Sequence, residues 1–282
     1  MGISPTVAAT HRWRGRWPSA LGLALTLSVG AAVLLAPWLA PQDPAAQSLV
    51  DALEPPRSGH PLGTDELGRD VLSRVLHGGR VSLFIGLGSV AAGLLIGGLG
   101  GLVAGYRGGW IDAAIMRSAD VLLVFSGFVL AVWVLAILGQ GVGSVVVALV
   151  VRSIPVFARV ARNTTVSIRE RAFVEAALAL GSREHRILFR HVLPHLWSPL
   201  LVIAPLRTGS AILLGASLSF LGLGVPPDVP EWGAMIKNGM EYLRMGASHL
   251  VLGPGLAIVA TVLGLNLLGD ALHDAGDPRR PD

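Results

Sequence analysis

The chain's only lysine, Lys237, sits between Ile236 and Asn238. A phosphate-cradling loop of the form GxxxxGK[ST] needs its lysine after a glycine-rich turn and before a hydroxyl, so the chain is predicted not to be its own ATPase. Eight histidines and several serines are the other groups suited to hydrolytic chemistry. No HExxH occurs, and Gly215-Ala-Ser217-Leu-Ser219 lacks the closing glycine of a nucleophile elbow. Zero cysteines remove thiolate nucleophiles and sulfur-ligated metals. No catalytic residue, metal site or resident cofactor is therefore expected. What stands out is a string suited to docking: Glu175-Ala176-Ala177, three residues, Gly181, then Arg183 and, twelve residues after Gly181, Leu193-Pro194. Two alanines let a helix seat deeply in a groove, Glu175 offers a charge-assisted contact, and Gly181 permits a turn.

The elements that must position this string are apolar. The 282 residues are 52% hydrophobic and 14% charged, with mean hydropathy +0.63, whereas soluble domains carry about 25% charged residues. About 20 apolar residues in a helix cross the roughly 30 Å hydrocarbon core, and lipid leaves no other way to pair the backbone. Six uncharged runs qualify: Pro18 to Ala40, Val81 to Ala104, Val121 to Leu138, Val142 to Val151 extending toward Ala158, Leu196 to Leu221, and Leu250 to Leu268. The first run follows Arg12, Arg14 and Arg16; its length and Pro37 and Pro41 argue for an uncleaved anchor rather than a secretory signal. Most of the 22 Lys and Arg fall in the segments that would be inside if the N-terminus is inside, so both termini are predicted to be cytoplasmic. The net charge of +4 then sits against anionic headgroups rather than nucleic acid.

Ser89, Gly93, Gly97, Gly101 and Gly105 recur every four residues along the second span. They line one helix face, where a second helix can approach closely, within this chain or at a subunit interface. The inner loop from about Arg159 to His195 is too long to be structureless. Phe173, Ala176, Ala177 and Leu180 share a helical face, and Ser182 with Glu184 and His185 can open a second helix after Gly181. Two short helices form a knob, or an amphipathic hairpin lies on the membrane surface with Arg169, Arg171, Arg183, Arg186 and Arg190 snorkelling.

The Glu175 to Gly181 string resembles the EAA loop of binding-protein-dependent ABC importer permeases, which inserts a coupling helix into a groove on an ATPase. Three further strings extend the likeness over nearly everything after residue 18: His60-Pro-Leu-Gly-Thr-Asp-Glu-Leu-Gly-Arg-Asp70; Ser217-Leu-Ser-Phe-Leu-Gly-Leu-Gly-Val-Pro-Pro227 with Glu231-Trp-Gly-Ala-Met235; and Gly269-Asp-Ala-Leu-His-Asp274 with Asp277-Pro-Arg279. Together they look like the C-type permease subunit of dipeptide, oligopeptide and nickel ABC importers. One departure is His191, where the pattern has an aliphatic residue.

The resemblance implies an all-α, type I importer permease of six transmembrane helices in the bacterial inner membrane. Residues 1–17 would be a cytoplasmic segment, 18–40 the anchor, 41–80 an extracytoplasmic loop with a short interfacial helix from Glu66 to Leu76, 81–271 the permease domain with its coupling loop at 159–195, and 272–282 a cytoplasmic tail. The implied partners are a B-type permease, two ABC ATPase subunits or one fused ATPase holding ATP and Mg, and an extracytoplasmic solute-binding protein. The implied cargo is a di- or oligopeptide, with glutathione or a nickel chelate as alternatives. Glu175, Ala176, Ala177, Gly181 and Arg183 would couple to the ATPase. In the fifth span Arg207, Ser210, Ser217 and Ser219 are candidates for the translocation path, Arg207 either snorkelling inward or touching an anionic group of the substrate. Asp65, Arg69, Glu231 and Trp232 are candidates for an outer gate or a binding-protein contact. A secondary transporter, the rival of a different class, should carry carboxylates at mid-bilayer; Asp120 and Asp270 instead lie near span ends.

Overall fold

The computed structural model describes residues 17–172, 186 and 188–275. Among them every extended element is helical: α1 (Trp17–Leu34), α2 (Ala36–Leu39), α3 (Val71–Arg107), α4 (Gly109–Val124), α5 (Gly127–Leu138), α6 (Val142–Arg169), α7 (Leu193–Phe220), α8 (Trp232–Tyr242) and α9 (His249–Ala275). Five helices are long and apolar enough to cross a membrane, and α4 with α5, bent by 95° at their break, bring the number to six if the pair is one span.

The bundle is organised around α3 and α6. Along α3 the small residues meet α6 one turn after another. A Cβ on Gly93 would lie 2.5 Å from the Ser153 Cβ, one on Gly97 3.1 Å from the Ala158 nitrogen, one on Gly101 2.7 Å from the Ala161 Cβ, and one on Gly105 2.7 Å from the Arg162 carbonyl oxygen. The stripe thus serves contact within this chain. Helices in lipid gain little from apolar burial against one another, so close backbone approach is what joins them. Outside this pair, α7 packs on α3 and α9. The anchor α1 lies on α9, where Gly22 faces Leu267 and Gly264 faces Thr26.

Two expectations about span ends change. The span predicted over Val121 to Leu138 is not straight: Phe125 and Ser126 adopt extended conformations (ψ 140° and 133°) that stop α4 and redirect the chain into α5. The interfacial helix expected from Glu66 to Leu76 is instead a turn followed directly by α3, which starts at Val71. The turn is built from the His60 to Asp70 string. Gly68 has φ +69°, and a side chain there would collide with the Ser48 carbonyl, which fixes glycine at that position.

Asp70 caps α3. Its carboxylate accepts from the Ser73 amide at 2.7 Å and the Ser73 hydroxyl at 2.6 Å and contacts His60 Nδ1 at 3.1 Å, fully enclosed. An N-cap of this kind is worth about 1 kcal/mol and up to about 2, and removing it also strands the buried His60 and Ser73 partners. Asp70→Ala is therefore expected to cost about 2 kcal/mol, read as a lower melting temperature of the solubilised protein, with Asp70→Asn recovering part of the loss. An unchanged midpoint for Asp70→Ala contradicts the assignment.

Candidate functional site

The two ends of the bundle differ in chemistry. At the end from which the 170–192 segment leaves, arginines of α6 clamp neighbouring helices. Arg162 grips Asp112 of α4 with both branches, Nε to Oδ1 at 2.9 Å and Nη2 to Oδ2 at 2.6 Å. Arg159 reaches Asp120 at 2.6 Å. Arg169 donates to the Tyr106 carbonyl at 2.9 Å and lies 6.0 Å from the centre of the same residue's ring. These contacts tie α3, α4 and α6 into one block. Across from it a cavity of ≈ 770 Å³ opens between the last turns of α6, with Asn163 and Ser167, Arg171 just beyond it, and the first turns of α7, with Pro194, His195 and Ser198. A π-helical turn at Leu188–Val192 leads into α7. The predicted coupling residues Glu175, Ala176, Ala177, Gly181 and Arg183 lie outside the described residues.

Midway along the bundle, Arg152 of α6 and Arg207 of α7 line one cavity of ≈ 170 Å³ with Phe125, Gly127, Leu130 and Ser153. The uncharged run Val142 to Val151 stops just short of Arg152, and its predicted extension reaches only toward Ala158. The structure instead carries α6 through that charge as far as Arg169, so Arg152 sits ten residues inside the helix, about 15 Å from its start at 1.5 Å per residue. Arg207 lies about 20 Å from the far end of α7 by the same rise. Both are half-buried, and they are close enough to repel one another. Neither has an ion-pair partner among the described residues. An arginine at the centre of a membrane helix costs roughly 2.5–3.5 kcal/mol on insertion scales.

A family model for the binding-protein-dependent transport system inner membrane component matches residues 97–281. The chain belongs to this family. The permease is 45% identical over 275 residues to the glutathione transport system permease protein GsiD of Pectobacterium atrosepticum, covering 95% of this chain and 91% of that protein. It is 43% identical over 264 residues to the di/tripeptide transport system permease protein DppC of Pseudomonas aeruginosa, covering 92% and 87%. With the dipeptide permease DppC of Alkalihalophilus pseudofirmus it shares 38% over 277 residues, 98% and 91% of the two chains. Its fold matches a chain of the MetNI methionine ABC transporter in an inward-facing conformation, with a TM-score of 0.57 at 20% identity over 72% of this chain and 95% of that one. The type I importer permease fold expected from the sequence is the fold observed.

The remaining candidates in this permease fall into two groups. On α7, the helical angles place Arg207, Ser210 and Ser217 on one face and Ser219 on the opposite one. Ser210 is exposed, and its hydroxyl bonds back to the Leu206 carbonyl at 3.0 Å; Ser217 does the same to Leu213 at 2.7 Å. Ser219 is buried, and its oxygen accepts from the Val225 amide at 3.2 Å, closing the turn after α7. It holds the loop and does not line a surface.

Asp65, Arg69, Glu231 and Trp232 are all internal. Asp65 accepts from the Arg69 Nε at 2.6 Å and the Leu67 amide at 2.9 Å, and Arg74 stands 3.4 Å away. Glu231 caps α8 through the Gly233 and Ala234 amides at 3.0 and 2.9 Å and accepts from the Ser82 hydroxyl of α3 at 3.0 Å. The Trp232 indole donates to the Val75 carbonyl at 2.9 Å. These four therefore hold the segments that precede α3 and α8 in place through internal contacts. Near them Asp51 is held below the usual carboxylate range by hydrogen bonds from Ser48 and then Arg57. Sequence reasoning missed Arg152 and the His60–Asp70–Ser73 cap. The signal for Arg152 was present: Pro155 and the apolar residues after it keep helical spacing beyond the charge.

Proposed function

We propose that this permease is a membrane-spanning subunit through which an ATP-driven importer carries di- or oligopeptides into the cell, with glutathione as the second reading. The observation that carries it is identity of 38–45% over nearly the whole chain to permeases named for glutathione and for di- and tripeptides. Those cargoes share one chemistry, since glutathione is itself a short peptide with free carboxylates.

In this reading the arginine-rich end of the bundle, and both termini, face the cytoplasm, in keeping with the positive-inside rule. The 159–195 loop, with Glu175, Ala176, Ala177, Gly181 and Arg183, meets ABC ATPase subunits that hold ATP and Mg. A B-type permease lies along the face of α7 on which Ser210, Leu213 and Phe220 are exposed. Substrate released by a solute-binding protein at the opposite end passes between the two permeases. The internal contacts of Asp65, Arg69, Glu231 and Trp232 keep that outer end in register as a gate element.

The test is uptake. The chain is expressed with its neighbouring permease, ATPase and binding-protein genes in cells lacking peptide importers, and labelled dialanine and glutathione are offered. Accumulation of one or both that requires every subunit and ATP is the expected result. Accumulation against a gradient by the purified chain reconstituted alone overturns the reading.

A further inference from the structure

We infer that Arg152, Arg207 and the N-terminus of α5 form a mid-membrane subsite for a carboxylate of the transported peptide. The inference rests on the peptide-import reading and adds where the cargo is held. Three sources of positive potential converge on one cavity. Arg152 and Arg207 line it from α6 and α7. The third is α5, whose first residue, Gly127, sits beside Arg152 so closely that a Cβ there would come within 2.8 Å of the Arg152 Cδ and nearer still to its Nε.

No side chain caps α5, and the first amides of a 12-residue helix carry the positive end of its dipole. The start of α5 is also where the bent span breaks, since Phe125 and Ser126 are extended between α4 and α5. Membrane transporters hold anionic substrate groups at such broken helices, with half-helix N-termini aimed at the anion. Gly127 is the residue that lets the guanidinium and the helix end meet: a side chain would displace Arg152 from the helix start.

The acids nearest along α4 cannot neutralise this charge, because Asp112 is taken by Arg162 and Asp120 by Arg159. A planar carboxylate matches the guanidinium fork and can be shared between two of them. The space of ≈ 170 Å³ is below the roughly 300–1,000 Å³ that encloses a whole small ligand, so it accepts one end of a peptide while the rest extends along the α7 face past Ser210. Holding the cargo by its terminal charge makes the site indifferent to side chains, as a carrier of varied short peptides requires.

The experiment uses the complete importer in proteoliposomes with its binding protein, comparing dialanine with dialanine amide for wild type, Arg152→Gln, Arg207→Gln and Arg207→Lys. The expected result is a fall of about tenfold or more in kcat/KM for the free acid in each Gln variant. Transport of the amide should change by less than about twofold, and Arg207→Lys should recover most of the free-acid rate. A second measurement dispenses with the binding protein: saturation-transfer NMR of dialanine with the nanodisc-held complex, whose signal should be present in wild type and lost in Arg152→Gln.

Equal losses for acid and amide mean that the arginines pair with a carboxylate of the partner permease or only hold helices together, and overturn the proposal. So does an unchanged free-acid rate, or a saturation-transfer signal that survives the substitution. If the wild-type importer carries neither peptide, the peptide reading itself falls; if it carries both and only the discrimination fails to move, this proposal falls alone.

Discussion

A leucine at Gly101 is expected to leave almost no assembled permease in the membrane. Gly101 faces α6 backbone: a Cβ there would meet the Ala158 carbonyl oxygen, lie 2.9 Å from the Ala158 carbonyl carbon and 2.7 Å from the Ala161 Cβ. Side chains can turn away from an intruder, but a helix backbone cannot, so α3 and α6 must separate along their length. Overpacking costs about 1–3 kcal/mol when neighbours adapt, and here the neighbours are fixed. Losses of only 1–2 kcal/mol already change abundance several-fold, so the yield of folded chain should fall about tenfold or more. The measurement is size-exclusion chromatography of a tagged chain co-expressed with its partners. Gly100→Leu, one residue away and with nothing nearer than the Ile115 Cγ2 at 4.0 Å, should stay within about twofold of wild type. Wild-type yield for Gly101→Leu would show that the stripe is not the seam of the bundle.

That seam was legible residue by residue, because spacing alone decides which face of a helix lacks side chains. Hydropathy likewise placed all the spans. What it could not place was where they end, and the errors have one cause: charge was treated as a boundary. Arg74 lies inside α3, yet it is buried 3.4 Å from Asp65, so its charge is answered by a residue nine positions earlier and the helix continues through it. Arg152 lies inside α6 for the opposite reason. Its charge has no answering group among the described residues, and the helix runs on through it regardless. A hydropathy window cannot separate a neutralised charge from a functional one.

The break between α4 and α5 was invisible for a different reason. Phe125, Ser126 and Gly127 are all acceptable in a membrane helix, and nothing local forbids the helix from running through them. What accompanies the break is tertiary: Arg152 occupies the space beside Gly127. The outer residues show the converse. Their sequence strings were recognisable as an outer gate or a binding-protein contact, but nothing in them showed that the side chains turn inward, where Glu231 and Trp232 bond to Ser82 and Val75 of α3. A charged residue next to a membrane boundary suggests a surface, whereas the Glu231 carboxylate is spent on the first amides of α8.

Replacing Gly181 with tryptophan is expected to abolish peptide uptake while the chain stays inserted and assembled. The stem of the proposed coupling loop explains why transport depends on that position. One side of the stem, α6, is tied to α3 and α4 by the paired bonds of Arg162 to Asp112, by Arg159 to Asp120 and by Arg169 to Tyr106. The other side, α7, starts across a cavity of ≈ 770 Å³ and contains Pro199 and Pro205, which remove hydrogen bonds that would stiffen it. A push on the loop therefore cannot be spent in fraying α6; it shifts α7 against the α3–α4–α6 block, and with it Arg207 relative to Arg152. ATP-driven closure of the ATPases would in this way open and close the carboxylate subsite at a distance. The push arrives only if the loop seats in its groove. A ring at the turn position blocks seating at a cost of about 3 kcal/mol, or roughly 100-fold. Uptake of labelled dialanine by proteoliposomes should fall by about that factor, with the size-exclusion profile of the complex unchanged. Normal uptake by Gly181→Trp would place the drive elsewhere in the chain, and the clamped α6 stem would then be scaffold alone.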